Sequence, residues 1–129
     1  MAGKSSPAAP RLNPRLRVTC GRDIAIGPGK IELLALLVET GSLSEAARRL
    51  DMSYMRAWLL VKAMNKCFGE PVAVAERGGK TGGGMKVTAT GRRVLKLYQK
   101  MERDSLRACD KSWREIQGLL RSGKQDGTS

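Results

Sequence analysis

The sequence predicts a mainly α-helical fold with a small β component, ending in a long C-terminal helix. Three observations carry this expectation. Apolar residues recur at helical spacing in three segments between residues 29 and 68, and again from Val94 to Leu120. Two short β-forming runs flank a glycine-dense stretch, Arg77 to Thr88, which reads RGGKTGGGMKVT. Another pair of short runs, RLRVTC and DIAIG, surrounds Gly21-Arg22. The 129 residues suffice for one domain with a real core plus tails.

The elements follow in order. The opening MAGKSSPAAPRLNP has no apolar stretch of the kind a secretory signal needs, and its Pro/Ala/Ser content predicts a disordered basic arm over 1–14. The runs at 15–20 and 23–27 suggest a small hairpin. Pro28 suits a first helical turn, Ile31, Leu34, Leu37 and Val38 share a face, and Gly41 supplies a stop, which gives a helix over about 29–40. Ser42 and Glu45 have capping-box spacing at the head of a short second helix, about 43–50. Asp51-Met52-Ser53 breaks it, and Ser53 can cap a third helix, about 54–68. On that helix Ala57, Leu60, Val61, Met64 and Phe68 form the core face, with Met55, Leu59, Lys62 and Lys66 opposite. Pro71 ends helical structure. A strand over 72–77, the glycine loop and a returning strand over 85–87 come next. Thr88 caps the last helix, whose apolar side runs through Val94, Leu97, Tyr98, Met101, Ile116 and Leu119, with a weak stretch around Arg103–Arg107 that would accommodate a break.

Helix, helix, turn, helix, strand, loop, strand, helix is the order of a winged helix-turn-helix. Ala46 and Ala47 are small enough to let the second and third helices cross closely. The domain expectation is 15–104 for this fold, 105–120 for an extension of the last helix, and 121–129 for a disordered tail.

Charge points to a polyanionic partner. There are 24 Lys/Arg against 12 Asp/Glu, a net charge of +12, and the helical middle over 27–70 is nearly balanced while both flanks are basic. A merely solubilised surface is the plainer reading of the same excess. Cys20, Cys67 and Cys109 are far apart in sequence and there is no histidine, so neither a disulfide framework nor a structural metal site is expected, and buried or idle thiols are the default. No apolar run approaches the length needed to span a bilayer. No cofactor or small-molecule ligand is expected.

The glycine loop contains Gly79-Lys80-Thr81, the ending of a nucleotide-binding P-loop. That motif needs a glycine where Val74 stands and a helix where Met85-Lys86-Val87 reads as strand. The loop is better read as the tip of a wing. Arg77, Lys80, Thr81 and Lys86 then make a basic tip over 77–86 suited to backbone phosphates or a minor groove. Arg56, at the start of the third helix, is the base-edge candidate, because arginine can bond guanine through two hydrogens. A surface ion pair is its alternative role. Ser42 and Ser53 are caps or phosphate donors. Tyr54, Met55 and Trp58 are further contact candidates, with packing at the wing root the alternative for Tyr54 and Trp58. Lys62 is placed for phosphate, and Arg11, Arg15 and Arg17 for sequence-independent attraction.

TGSLSEAARRLDMSYMRAWLLVKAMN followed by GGKTGGGMKVTATGRRVLKLY resembles the N-terminal DNA-binding domain of the ModE family of molybdate-responsive regulators, over about residues 15–105. Thr40-Gly41-Ser42, Ser53-Tyr54, Ala57-Trp58, Met64-Asn65, the wing glycines, and Thr88 with Gly91 carry the resemblance. A more remote similarity reaches the LysR-type domain. Met55 stands where the family commonly has a basic residue, and Val87 replaces a usual Leu. Family members carry a C-terminal oxyanion-binding module. This chain ends at Ser129 and resembles a short, DNA-binding-only form, so molybdate sensing is not carried over. The resemblance implies a cytoplasmic, homodimeric, sequence-specific transcriptional regulator on double-stranded DNA, reading an inverted repeat, with the long last helix as dimer contact; a simple lid on the core is the other role open to that helix. An architectural, nucleoid-associated protein with little sequence preference is the alternative. Membrane-surface binding by the basic last helix is a weaker one. An enzyme is not expected, since no histidine and no carboxylate cluster at ligand spacing is present.

Overall fold

The computed structural model describes residues 9–76 and 84–121. Its elements are β1 (Val18–Cys20), β2 (Asp23–Ile26), α1 (Pro28–Thr40), α2 (Leu43–Arg49), α3 (Tyr54–Cys67), β3 (Ala73–Ala75), β4 (Met85–Val87) and α4 (Ala89–Leu119). The fold is the expected one, mainly helical with two small antiparallel sheets, β1–β2 and β3–β4. The described residues divide into two compact units, one within Arg15–Met101 and a second comprising residues 9–14 with 102–121.

Within Arg15–Met101 the core is built on α1. Leu33, Leu34, Leu37, Leu43, Ala46, Ala57, Met64 and Val72 are all at 1% exposure or less. The one-sided stripe expected for α1 is incomplete. Leu33 is fully buried as well, and Leu36 packs against the core, because α2, α3, β2 and β4 all contact this helix. A helix covered on several faces has apolar residues on several faces. Pro28 occupies its first turn, and Gly41, at φ 66°, ends it by donating its N–H to Leu37 O at 2.8 Å.

Three local features depart from the sequence reading. The capping box at α2 is half made. Ser42 Oγ accepts from Glu45 N–H at 3.1 Å, but the Glu45 carboxylate turns to Arg48 and Arg49, and Ser42 N–H donates to Thr40 Oγ1 instead. Of the strand expected over 72–77, Ala73–Ala75 is regular and Val72 is not, because Val72 spends its backbone groups on Asn65 and Thr88; Arg77 lies outside the described residues. The loop after α1 also joins the second sheet: Ser42 bridges Gly84, and Met85 N–H donates to Gly41 O at 3.1 Å. No break interrupts α4 at Arg103–Arg107.

The three cysteines are free, and Cys20 and Cys109 are exposed rather than buried. Folding of the hairpin beside α3 brings Cys20 Sγ to 4.0 Å from Cys67 O. Desolvation, and then the neighbouring Cys20 thiol, push the Cys67 thiol above its usual range. In the second unit, α4 continues with surface pairs Arg107–Asp104 and Arg114–Asp110.

Candidate nucleic-acid interface

The turn between α2 and α3 sets the direction of α3. Asp51 takes the left-handed conformation at φ 57°, which Asp tolerates better than most residues. Met52 N–H returns to Ala47 O at 3.0 Å. Ser53 then starts α3, its Oγ accepting from Arg56 N–H at 3.0 Å. With Ala46, Ala47 and Ala57 buried at the crossing, α2 and α3 pack closely, and the first turns of α3 are left outside.

The core side of α3 is Ala57, Val61 and Met64, with Leu60 and Phe68 partly buried. Met55 and Leu59 project the other way, at 60% and 52% exposure. Between these faces lie two flanks, set on roughly opposite sides by the helical repeat. On one flank Trp58, Lys62 and Asn65 border a cleft of about 270 Å³ shared with Ala73, Ala75 and Met85 of the second hairpin. On the other, Arg56 and Leu60 border a cleft of about 280 Å³ shared with Arg15, Arg17 and the start of α1.

The expected contact residues distribute over this frame. Tyr54, Met55, Arg56 and Trp58 are exposed on the first turns of α3. Trp58 sits at the wing root with one face under Lys62, whose Nζ is 5.0 Å from the ring centre, so Lys62 holds its charge there. Ser53 is exposed and Ser42 half-buried. Lys86 is exposed on β4, paired in register with Val74. Arg77, Lys80 and Thr81 lie outside the described residues, as do residues 1–8 and 122–129.

Electrostatics separates α2 from α3. Arg48 and Arg49 pair with Glu45 at 2.5 and 3.1 Å, and Arg49 also reaches Glu39 at 2.9 Å. The two guanidiniums hold the Glu45 carboxyl down to about 2, so this patch stays internally neutralised. Among the described residues, the Arg56 side chain has no such carboxylate.

Three positions outside the expected set fix the wing root. Asn65 accepts from Val72 N–H at 2.7 Å and donates to Ala73 O at 3.0 Å, tying α3 to β3. Thr88 Oγ1 donates to Pro71 O at 2.7 Å and accepts from Gly91 N–H at 3.0 Å, while Thr88 N–H reaches Val72 O. Gly91 allows this approach, since a Cβ there would stand 2.1 Å from Val72 O. In the sequence Thr88 stood out as a helix cap, and Asn65 and Gly91 only through the family motif.

Residues 29–92 match the bacterial regulatory helix-turn-helix family of LysR type. This is a ModE-like, LysR-type helix-turn-helix domain. Its relatives include the molybdenum-pterin-binding protein MopB of Rhodobacter capsulatus, 42% identical over 77 residues, which are 60% of this chain and 28% of the relative. The transcriptional regulator ModE of Haemophilus influenzae is 35% identical over 88 residues, 68% of this chain and 34% of that protein. The molybdenum transport protein ModE of Azotobacter vinelandii is 32% identical over 103 residues, 80% of this chain and 38% of that protein. The chain thus spans about a third of the length of the curated relatives it matches. The ModE-like domain is a DNA-binding domain of a regulator family, not of an enzyme family. Among the described residues, no helix is long and apolar enough to cross a membrane.

Proposed function

We propose that the protein is a dimeric transcriptional regulator that lays α3 in the major groove of an inverted-repeat site and sets its wing on the adjacent backbone. The observation that carries this reading is the outward first turn of α3, with Arg56 unneutralised beside a helix pair whose other arginines are neutralised. The major groove admits a helix, and its guanines present the acceptors that a free guanidinium fits. In this reading Tyr54, Met55 and Trp58 make the neighbouring contacts, and Ser42, Ser53, Lys62, Arg77, Lys80, Thr81 and Lys86 serve the phosphates. The domain occupies 15–104 and acts in the cytoplasm, on the nucleoid.

The dimer rests on α4. Val94 and Tyr98 pack inward, but Leu97 and Met101 are 48% and 42% exposed. They continue an apolar side that includes Ile116 and Leu119 farther along the helix. A second copy's α4 is the occupant that suits such a stripe. It would set two recognition helices about one DNA turn apart, roughly 34–36 Å.

Arg56→Ala is expected to weaken specific binding by about 1–3 kcal/mol and to relax base preference at one position of each half-site. Binding isotherms on the selected site and on random DNA measure this, and equal losses on both would move Arg56 to the phosphate-contacting residues. A second reading, an architectural protein with little sequence preference, is favoured by Met55 and Leu59 on the outward face, which offer base edges no hydrogen bonds. Selection from random-sequence DNA separates the two: one inverted repeat supports the regulator, flat recovery the architectural protein. The names of the relatives point to molybdenum-related regulation. Genome-wide occupancy with and without molybdate tests that link, and identical maps would remove it.

A further inference from the structure

We infer that the cleft between the first hairpin, the start of α1 and the start of α3 seats a backbone phosphate of the bound DNA, on the side of α3 away from the wing. The inference rests on the DNA-binding reading above and adds a second anchoring point to it.

Four cationic side chains, Arg15, Arg17, Lys30 and Arg56, line this cleft of about 280 Å³, and no acidic side chain does. Among the described residues, the side chains of Arg15, Arg17 and Arg56 make neither an ion pair nor a hydrogen bond. Lys30 Nζ donates one hydrogen to Ile24 O at 2.6 Å, and an ammonium carries two more. The four come from three separate elements of the chain. Held together without a counter-charge they repel one another, and an anion in the cleft relieves that repulsion. The contrast with Arg48 and Arg49 is direct, since those two arginines are already satisfied by Glu39 and Glu45.

Place on the helix identifies the anion. Arg56 belongs both to this cleft and to the outward first turn of α3. Arg56 and Leu60 lie on roughly the opposite side of α3 from Trp58, Lys62 and Asn65, which face the wing root. A helix in the major groove has a sugar-phosphate strand on each side, about 12 Å apart. If the wing takes one strand, the other passes this cleft. The stem of Arg17 is steadied beside it. Its Cγ lies 3.4 Å from the point a Cβ on Gly27 would occupy, so the side chain rests against the head of α1.

The test compares the 129-residue chain with its Arg15→Ala/Arg17→Ala variant by salt titration of DNA binding and by phosphate-ethylation interference. Arg17→Lys keeps the charge and should retain wild-type behaviour. Arg22→Ala/Arg121→Ala removes two charges from exposed positions outside the cleft and outside α4, and serves as control. The expected result is a salt slope shallower by about one to two units for the cleft variant, alike on selected and random DNA. One or two ethylation-sensitive phosphates should vanish from one edge of each half-site. If the wild type binds DNA while the cleft variant matches it, or changes no more than the control, the cleft proposal falls and the DNA-binding reading stands. If the wild type binds no DNA, both fall. Competition of inorganic phosphate with DNA at millimolar concentration in the wild type, lost in the cleft variant, would reassign the cleft to a small anion and overturn the proposal.

Discussion

The two hairpins flank α3, but they are attached in different ways. The β3–β4 hairpin is held where backbones approach closely, with Gly91 against Val72 and Thr88 N–H on Val72 O, and the Thr88 and Asn65 side chains add bonds to Pro71, Val72 and Ala73 around that contact. The β1–β2 hairpin packs Ala25 and Ile26 of β2 into the core, but its polar ties, with those of the segment before it, are side chains reaching single groups. Tyr98 Oη donates to Leu16 O at 2.7 Å, Lys30 Nζ to Ile24 O at 2.6 Å, and Lys66 lies 3.4 Å from Asp23 on the surface. A side chain can swing or be replaced by water, whereas two backbones in contact cannot separate without moving a helix. The wing root should therefore be the less forgiving of the two.

Gly91→Ala is the largest test of that contrast. An added Cβ would meet Val72 O at 2.1 Å, Val72 C at 2.9 Å and Val87 Cγ1 at 2.7 Å. Helix propensity favours alanine by about 1 kcal/mol, but the clash is with main chain that has nowhere to turn. A net destabilisation of about 2–3 kcal/mol is expected in denaturant unfolding. A variant within about 1 kcal/mol of wild type would show slack at the wing root and end the distinction. Asn65→Ala comes next. It strands the N–H of Val72 and weakens the hold on Ala73 O, both on buried residues, at a cost of about 2 kcal/mol. Hydrogen exchange at the Val72 amide should accelerate while the β1–β2 amides keep their protection. Equal acceleration in both hairpins would mean that they open as one unit.

Much of this frame was legible beforehand. Helix limits came within a residue, because Gly41, Ser42, Ser53 and Thr88 are local signals that act on neighbouring backbone, whereas β1 starts only at Val18 in a run expected from residue 15. Partners distant in sequence were not legible. Asn65 stood out only through the family motif, because nothing in its spacing tells which strand it will clamp. Arg48, Arg49 and Arg56 counted equally in the charge sum, and only folding hands the first two to Glu45, and Arg49 also to Glu39, ten residues away. Cys20 and Cys67, 47 apart, looked unrelated until the hairpin packed beside α3. The cleft of Arg15, Arg17, Lys30 and Arg56 was hidden for the same reason, since its cations come from three separate segments.

Tyr98→Phe tests the gentler side of the comparison and should have the smallest effect. The ring is 1% exposed and belongs to the hydrophobic core, and phenylalanine keeps that packing. What goes is the hydroxyl that holds Leu16 O, a contact spanning 82 positions of sequence. One net hydrogen bond is worth about 1 kcal/mol, and Leu16 is only half-buried, so water can take up part of the loss. The expected change is therefore about 1 kcal/mol in unfolding, with the wing root unaltered in amide exchange. Leu16 stands between Arg15 and Arg17, so releasing its carbonyl frees the segment that carries both arginines of the cleft. Looser arginines should bind phosphate more weakly without losing charge, giving lower DNA affinity at an unchanged salt slope. A drop in slope matching that of Arg15→Ala/Arg17→Ala would show instead that the tether itself brings these cations to the DNA. Side-chain attachment would then matter as much to binding at this hairpin as close backbone contact matters to stability at the other.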